Sequence, residues 1–471
     1  MANEEEEEQD TRPVGFWHRD LNATRKYVVK KWIITTVILS IAILSILSIY
    51  WSVLFHVEEN LSALVVWVVD FDARVAPYTD TTPIVGPAIV KAAEALIAPK
   101  GALGWGSLPA SDFGYDPIEV RRRVWEFGAW AAVIINANAT NLLQDAVQNG
   151  NSTFDPMGIA QIIYVQARDE TTYANYVTPQ LLQFQSSVTA MFGQQWAAQV
   201  ADQAAANPAI LTNIRNSPQA ISPGIGFSTF NLCPFTPPVA TPAVSIGLIY
   251  LIIISFFSFS FYLPVHTKYI TPQGHRPLHF YQMIIWRWLA TIVAYFFLSL
   301  FYSLLSLAFQ IPFSTGHKSI TSVESATAYG KGTFVVFWML NWVGMGALGI
   351  ACENVTMIIG QPWTALWLVF WVITNVSTSF YSVDLAPRFF YWGYAWPLHN
   401  IVEASRQLLF DLHSRVGLNF GVLFAWVAIN TLFFPFCCYF MRWQTLKGQE
   451  KTMDKKGNAK EDSESKGAEE A

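Results

Sequence analysis

Charge is what this chain has least of: Asp, Glu, Lys and Arg make up 13% of its 471 residues, roughly half the usual share of a soluble domain. Apolar residues reach 52% and aromatics 15%, more apolar surface than one aqueous core of this size hides, so lipid must cover part of it. Cysteine is scarce too. Cys233, Cys352, Cys437 and Cys438 offer no CxxC spacing, and three of them lie in apolar stretches, which excludes a disulfide framework or a zinc ribbon. No basic stripe suggests a nucleic-acid partner. HExxH, GxSxG and GxxxxGK[ST] are all missing. An enzyme is therefore not expected, nor a cofactor or metal, and ATP-driven work would need a separate ATPase. The formal charge of −5 comes largely from the two ends, an acidic run at Glu4 to Glu8 and a mixed-charge tail after Lys447, both of the composition of solvated, disordered tails.

Long apolar runs are what the chain does have. A helix rises about 1.5 Å per residue and needs about 20 apolar residues to cross the hydrocarbon. Stretches 32–55, 243–263, 283–311, 333–359, 363–383 and 417–441 qualify. The first is too long, and preceded by too many polar residues, to be a cleaved signal. Arg25, Lys26, Lys30 and Lys31 precede it, His266, Lys268, Arg276 and Arg287 surround the connection after the second, and Arg442 and Lys447 follow the last. The positive-inside rule then puts both termini in the cytosol. The expected fold is a polytopic α-helical membrane protein of about six transmembrane helices, with a large extracytosolic α/β domain between the first two. Its parts are a cytosolic tail and basic segment at 1–31, a first span at 32–55, the external domain at 56–242, a five-helix membrane domain at 243–441, and a cytosolic charged tail at 442–471. Asn60, Asn138 and Asn151 begin external N-x-S/T sequons and are candidate glycosylation sites.

Within the external segment, Leu64 to Asp72 reads as a buried strand. Asp116-Pro117-Ile118-Glu119 reads as a helix start, with Glu119 placed to reach back to the cap. Further strands are expected at 130–135 and 162–166, and helices at 121–127, 138–147 and 176–206. The Pro- and Gly-dense stretch 221–242 is expected as a linker. Asp70 and Asp72 at a strand end could pair as catalytic carboxylates or hold a cation, but a strand end turned by Asp accounts for them as well.

Gly344, Gly346 and Gly349 spell GxGxxG, but inside an apolar span with no preceding strand. Close helix packing along Gly344, Ala347 and Ala351 is the expectation instead of a dinucleotide site. His266, His275 and His279 share a loop at no familiar zinc spacing. Arg287 and Glu353 lie within apolar spans at similar expected depth. They are candidates for a structural or gating ion pair, the alternative being two side chains that snorkel independently to the headgroups. The segment 384–416 carries Trp392, Trp396 and Pro397, then apolar residues at helical spacing with Glu403 and Arg406 on the polar face. It is expected as an external amphipathic helix at the outer leaflet or a re-entrant one, a short helix capping the bundle being the plainer alternative.

One span, an external domain opening with Val68-Val69-Asp70-Phe71-Asp72, the stretch ending in Asn138-Ala139-Thr140, and Tyr391-Trp392-Gly393-Tyr394-Ala395-Trp396-Pro397 before the last span resemble the fungal nitrosoguanidine-resistance membrane protein family from about Trp17 to Trp443. The layout is also similar to phage-infection-type membrane proteins and to the membrane half of type-2 ABC exporters. The resemblance implies a multi-pass plasma-membrane protein that confers resistance to toxic compounds, by export or exclusion of amphipathic molecules or lipids. It brings no catalytic residues. A non-transporting scaffold or regulator that senses through its external domain is the alternative. The expected partners are membrane lipids, a separate ATPase or other membrane protein, and a second copy of the chain.

Overall fold

The computed structural model describes residues 13–97, 100–270, 276–313, 329–360 and 362–469. The run Val-Val-Trp-Val-Val-Asp forms β1 (Val65–Asp70), an inner strand of a five-stranded sheet with β2 (Gly104–Pro109), β3 (Ala131–Ile135), β4 (Ala160–Tyr164) and β5 (Phe227–Asn231). The strand order is β2-β1-β3-β4-β5. Only the β3–β4 pair is antiparallel. Alternate side chains serve two cores: Val66, Val68, Ala131, Val133 and Ile135 face one, and Val69, Ala132 and Ile134 the other, as the two-residue period of a strand buried on both faces requires.

Helices α1 (Asn22–Ala42), α2 (Val85–Glu94), α3 (Pro117–Trp125), α4 (Ala139–Gln148), α5 (Thr178–Ala206) and α6 (Ala209–Asn216) come next in chain order. Leu181, Phe184, Val188, Phe192, Trp196 and Val200 recur three or four apart along α5 and bury one face of it, with α2 and α4, over one side of the sheet. The other side packs on α3 and continues without a break into the membrane helices. At the start of α3 the Asp116 carboxylate accepts from Ile118 N–H at 2.8 Å. The expected reach-back of Glu119 is not made. Asp116 N–H is already bonded to the Phe113 carbonyl, and Glu119 turns to Arg122 and Arg123. The stretch 221–242, read as a linker, contributes β5.

The remaining helices are α7 (Ile249–His266), α8 (Phe280–Ala308), α9 (Thr333–Ile359), α10 (Thr364–Ser377), α11 (Pro397–Phe410) and α12 (Val416–Glu469). Five helical segments are long and apolar enough to span a bilayer: Arg19–Glu59, Pro238–Tyr269, Phe280–Ala308, Gly330–Ile359 and Val416–Gly448. The chain is a membrane protein. The sixth expected span, 363–383, holds a shorter apolar helix than the other five. Its helix α10 has 14 residues, about 21 Å at 1.5 Å per residue, short of the roughly 30 Å hydrocarbon core. Thr374, Ser377, Thr378 and Ser379 turn their hydroxyls back onto carbonyls four residues earlier, which slightly weakens and bends a helix. Helix α9 occupies the centre of the bundle, whereas α1 has no buried side chain. The first span meets the rest near its end, where Val53 packs on Ala386 and Phe390.

Candidate functional site

Two buried clusters of charge stand out in a chain so poor in it. The first lies inside the bundle. Arg287 of α8 forms an ion pair with Glu353 of α9, their side chains 4% and 2% exposed. The second guanidinium nitrogen of Arg287 faces Met357 Sδ at 3.5 Å and Cys438 Sγ at 3.8 Å. Its flat face lies over Phe259 and Phe434, so α7, α8, α9 and α12 meet there. Glu353 Oε2 has no hydrogen-bond partner, which makes Arg287 the carboxylate's support.

Glycines let the neighbours approach α9. A Cβ on Gly344 would stand 2.6 Å from Ile401 of α11, one on Gly346 3.2 Å from Val427 of α12, and one on Gly349 2.3 Å from the Tyr295 hydroxyl of α8. Ala347 and Ala351 are buried in the same core. The small residues therefore face several partners around the helix rather than one.

The second cluster joins α11 to the sheet domain. The segment before α11 leaves α10, reaches the sheet domain, where Asn60 Nδ2 donates to the Leu385 carbonyl at 3.1 Å, and returns in a 3₁₀ run, Arg388–Ala395, to Trp396, whose indole N–H donates to Thr374 at 3.2 Å. Helix α11 then climbs out again between α9 and α12. It does not lie on a surface with its polar face in solvent. Twelve of its 14 residues are buried, and the expected polar face meets the carboxylates of the sheet domain. Arg406, 2% exposed, reaches Asp169 at 3.8 Å, Glu170 at 3.3 Å and Glu403 at 3.5 Å. Burial pushes the Asp169 carboxyl above its usual range, against the pull of Arg406 and of the Thr172 N–H. Trp125 donates to the Asp411 carbonyl at 3.3 Å, and Phe235 packs on Phe410 with ring centroids 4.8 Å apart.

A cleft of about 520 Å³ opens beside Arg406, within the usual size range of ligand pockets. Arg168 lies along one wall, 4.0 Å above the Trp130 ring and 4.7 Å from that of Phe127, with Arg415 5.7 Å from Phe127. Asp384, Glu403, Tyr394 and His399 line it as well. Arg168, Asp169 and Glu170 were not singled out from the sequence. The available signal was three consecutive charges in a chain with few of them.

Asp70 and Asp72 have a structural role. Asp72 is fully buried and accepts from Gly86 N–H at 3.0 Å in the first turn of α2, and from Thr140 N–H at 2.8 Å and Thr140 Oγ–H at 2.5 Å in the first turn of α4. One carboxylate thus caps two helices. Asp70 accepts from Asp72 N–H at 3.0 Å and pairs with Arg74 at 2.9 Å. The sequon hydroxyl of Thr140 is part of this cap. The other candidate sequon asparagines, Asn60 and Asn151, bond to Leu385 and Asp145. His266 accepts from the Trp286 indole at 3.1 Å, while His275 of the same loop lies outside the described residues.

Comparison with known proteins adds a relative and a family. The chain is 26% identical over 446 residues to an uncharacterized endoplasmic reticulum membrane protein of Saccharomyces cerevisiae, covering 90% of this chain and 82% of that protein. No solved structure matches it. A family described as protein of unknown function, DUF3533, matches residues 35–432, most of the chain, and the protein belongs to that family.

Proposed function

We propose that the protein is a transporter-like membrane protein that exports or excludes amphipathic molecules or lipids, with the sheet domain on the extracytosolic side and both termini in the cytosol. The observation that carries this reading is the re-entrant helix α11. It starts inside the bundle beside Asn375, runs along a polar cleft under the sheet domain, and is flanked by Leu418, 66% exposed on a membrane-spanning helix. An amphiphile needs a polar path that opens onto an apolar surface, and this arrangement offers one. A separate ATPase or a second copy of the chain are the partners that fit it. The tight enclosure of α9 favours a second reading, a scaffold or regulator whose sheet domain senses a partner and acts on the bundle.

Uptake of labelled phospholipids, dyes and a nitrosoguanidine-type compound in cells lacking or overexpressing the chain, with and without ATP depletion, tests the first reading. Lower accumulation on overexpression is expected. Unchanged fluxes with altered tolerance would transfer the case to the scaffold. Imaging of a tagged chain separates plasma-membrane residence, which the resistance-family resemblance implies, from the endoplasmic reticulum membrane named for the yeast relative.

A further inference from the structure

The cleft beside α11 carries specific recognition chemistry. Arg168 and Arg415 rest against aromatic rings, and neither has a carboxylate within ion-pair distance among the described residues. In the same cleft, Asp384 takes hydrogen bonds from the Tyr394 and Ser382 hydroxyls, and Glu403 has only a share of Arg406. Two donors on side chains that line the cleft, Arg406 Nε and Gln407 Nε2, are buried without an acceptor, their residues 2% and 1% exposed. Burial also holds the Arg168 guanidinium below its usual range.

The sum of charges narrows the ligand. Among the lining side chains Arg168, Arg406 and Arg415 match Asp169, Asp384 and Glu403 in number, and Arg406 is shared with Glu170 as well, so there is no excess of positive charge for a simple anion and a zwitterion suits both signs. Arg168 and Arg415 are held by Phe127 and Trp130 while Asp384 and Glu403 line the same cleft, a mix of both signs that suits a molecule with an anionic and a cationic end. Leu418 and Val422 of α12 close one side, which gives the ligand an apolar exit toward lipid.

We propose that this cleft binds the headgroup of a zwitterionic phospholipid, its phosphodiester against Arg168 and Arg415, its ammonium against Asp384 and Glu403, and its acyl chains leaving past Leu418 along α12. The assignment names the substrate class of the same site and rests on the reading above. A tail-less phosphodiester zwitterion shares the headgroup chemistry, and the apolar exit is what argues for the lipid.

The test uses the full chain purified in detergent and radiolabelled dihexanoyl-phosphatidylcholine, with glycerophosphocholine and dihexanoyl-phosphatidylserine as competitors. Saturable binding is expected, with weak competition from both. A charge-assisted hydrogen bond contributes about 1.5–3 kcal/mol, so Arg168→Gln with Arg415→Gln should weaken binding by about tenfold or more. Arg168→Lys with Arg415→Lys should retain most of it, and both pairs should unfold at wild-type temperature. Binding unchanged in the Gln pair overturns the site. Equal competition by glycerophosphocholine overturns the lipid in favour of a soluble zwitterion, and equal competition by the serine lipid overturns the charge argument. The transport reading fails separately: binding that stands while cellular lipid flux ignores the Gln pair would refute transport and leave the site intact.

Discussion

Removing one partner of the Arg287–Glu353 pair should harm the protein far more than removing both. Glu353 has one supporting donor, since its second oxygen has none. Without its carboxylate, Arg287 keeps only two sulfur contacts at 3.5 and 3.8 Å and two ring faces. Glu353→Leu therefore leaves a buried cation, and Arg287→Met a buried carboxylate, each destabilising by about 3–5 kcal/mol. Insertion scales put a charge at the centre of a membrane helix at about 2.5–3.5 kcal/mol, a similar size. The double variant has no charge to desolvate and should lie within about 2 kcal/mol of wild type. Denaturant-driven unfolding in mixed micelles, followed by tryptophan fluorescence, gives the cycle. A double variant as unstable as the sum of the singles, or singles within about 1 kcal/mol of wild type, would refute the pairing argument. If the pair also gates a path, a double variant of normal stability should still change flux in the uptake assay, and an unchanged flux would confine the pair to structure.

Other perturbations follow from the same geometry. Asp72→Ala removes the acceptor for three donors at the starts of α2 and α4, a loss of about 2–4 kcal/mol from two caps, and hydrogen exchange should rise at both helix starts together; a rise at one alone would refute the shared cap. Gly349→Ala should destabilise by about 1–3 kcal/mol, because its Cβ would meet the Tyr295 hydroxyl at 2.3 Å and Ser255 Cβ at 2.6 Å. Gly344→Ala should cost less, since it meets the movable end of Ile401; a thermal-shift series in detergent gives the order. Hydrogen bonds from Arg122 and Arg123 hold Glu119 down to about 2 from its ordinary 4.5. A lowered folded-state value gives stabilisation that is present above 4.5 and lost as pH falls toward 2. Exchange at the start of α3 should therefore rise across that window in wild type, and Glu119→Gln should abolish the dependence.

The strand at Val65 to Asp70 was readable because a β-branched run that ends in acid residues is a local signal. The function of Asp72 was not, because its partners Gly86 and Thr140 lie 14 and 68 residues away. Arg406 was legible as part of a polar face. What that face meets was not, since Glu170 is 236 residues distant. β2, with Gly104 and Gly106, and β5, within a Pro- and Gly-dense stretch, run against strand propensity and form because β1 and β4 pair with them along their length. The apolar run 363–383 read as a span because hydropathy counts side chains and does not see where a helix stops. Its hydroxyl residues slightly weaken and bend the helix, and a run of Thr, Ser, Thr and Ser at 374–379 could have been weighed that way.

Two short helices, α10 and α11, face a shared difficulty: each has an end inside the bundle, where unsatisfied backbone groups are costly. Pro397 at the start of α11 has no N–H to satisfy, and Leu398 N–H goes to Asn375 Oδ1 at 3.1 Å, while Asn375 Nδ2 holds the Trp371 carbonyl of α10 at 2.9 Å. Asn400 ties the Tyr394 and Trp396 carbonyls, and Asn419 of α12 donates to the Asn400 carbonyl at 3.0 Å. Side-chain amides thus replace the water that a helix end would otherwise use, and they fix the direction of α11. That direction lays the flank of α11, from His399 to Gln407, along the cleft. Arg415, just past its end, donates its backbone N–H to Gln407 at 2.6 Å, which ties the start of α12 back onto α11 beside the cleft.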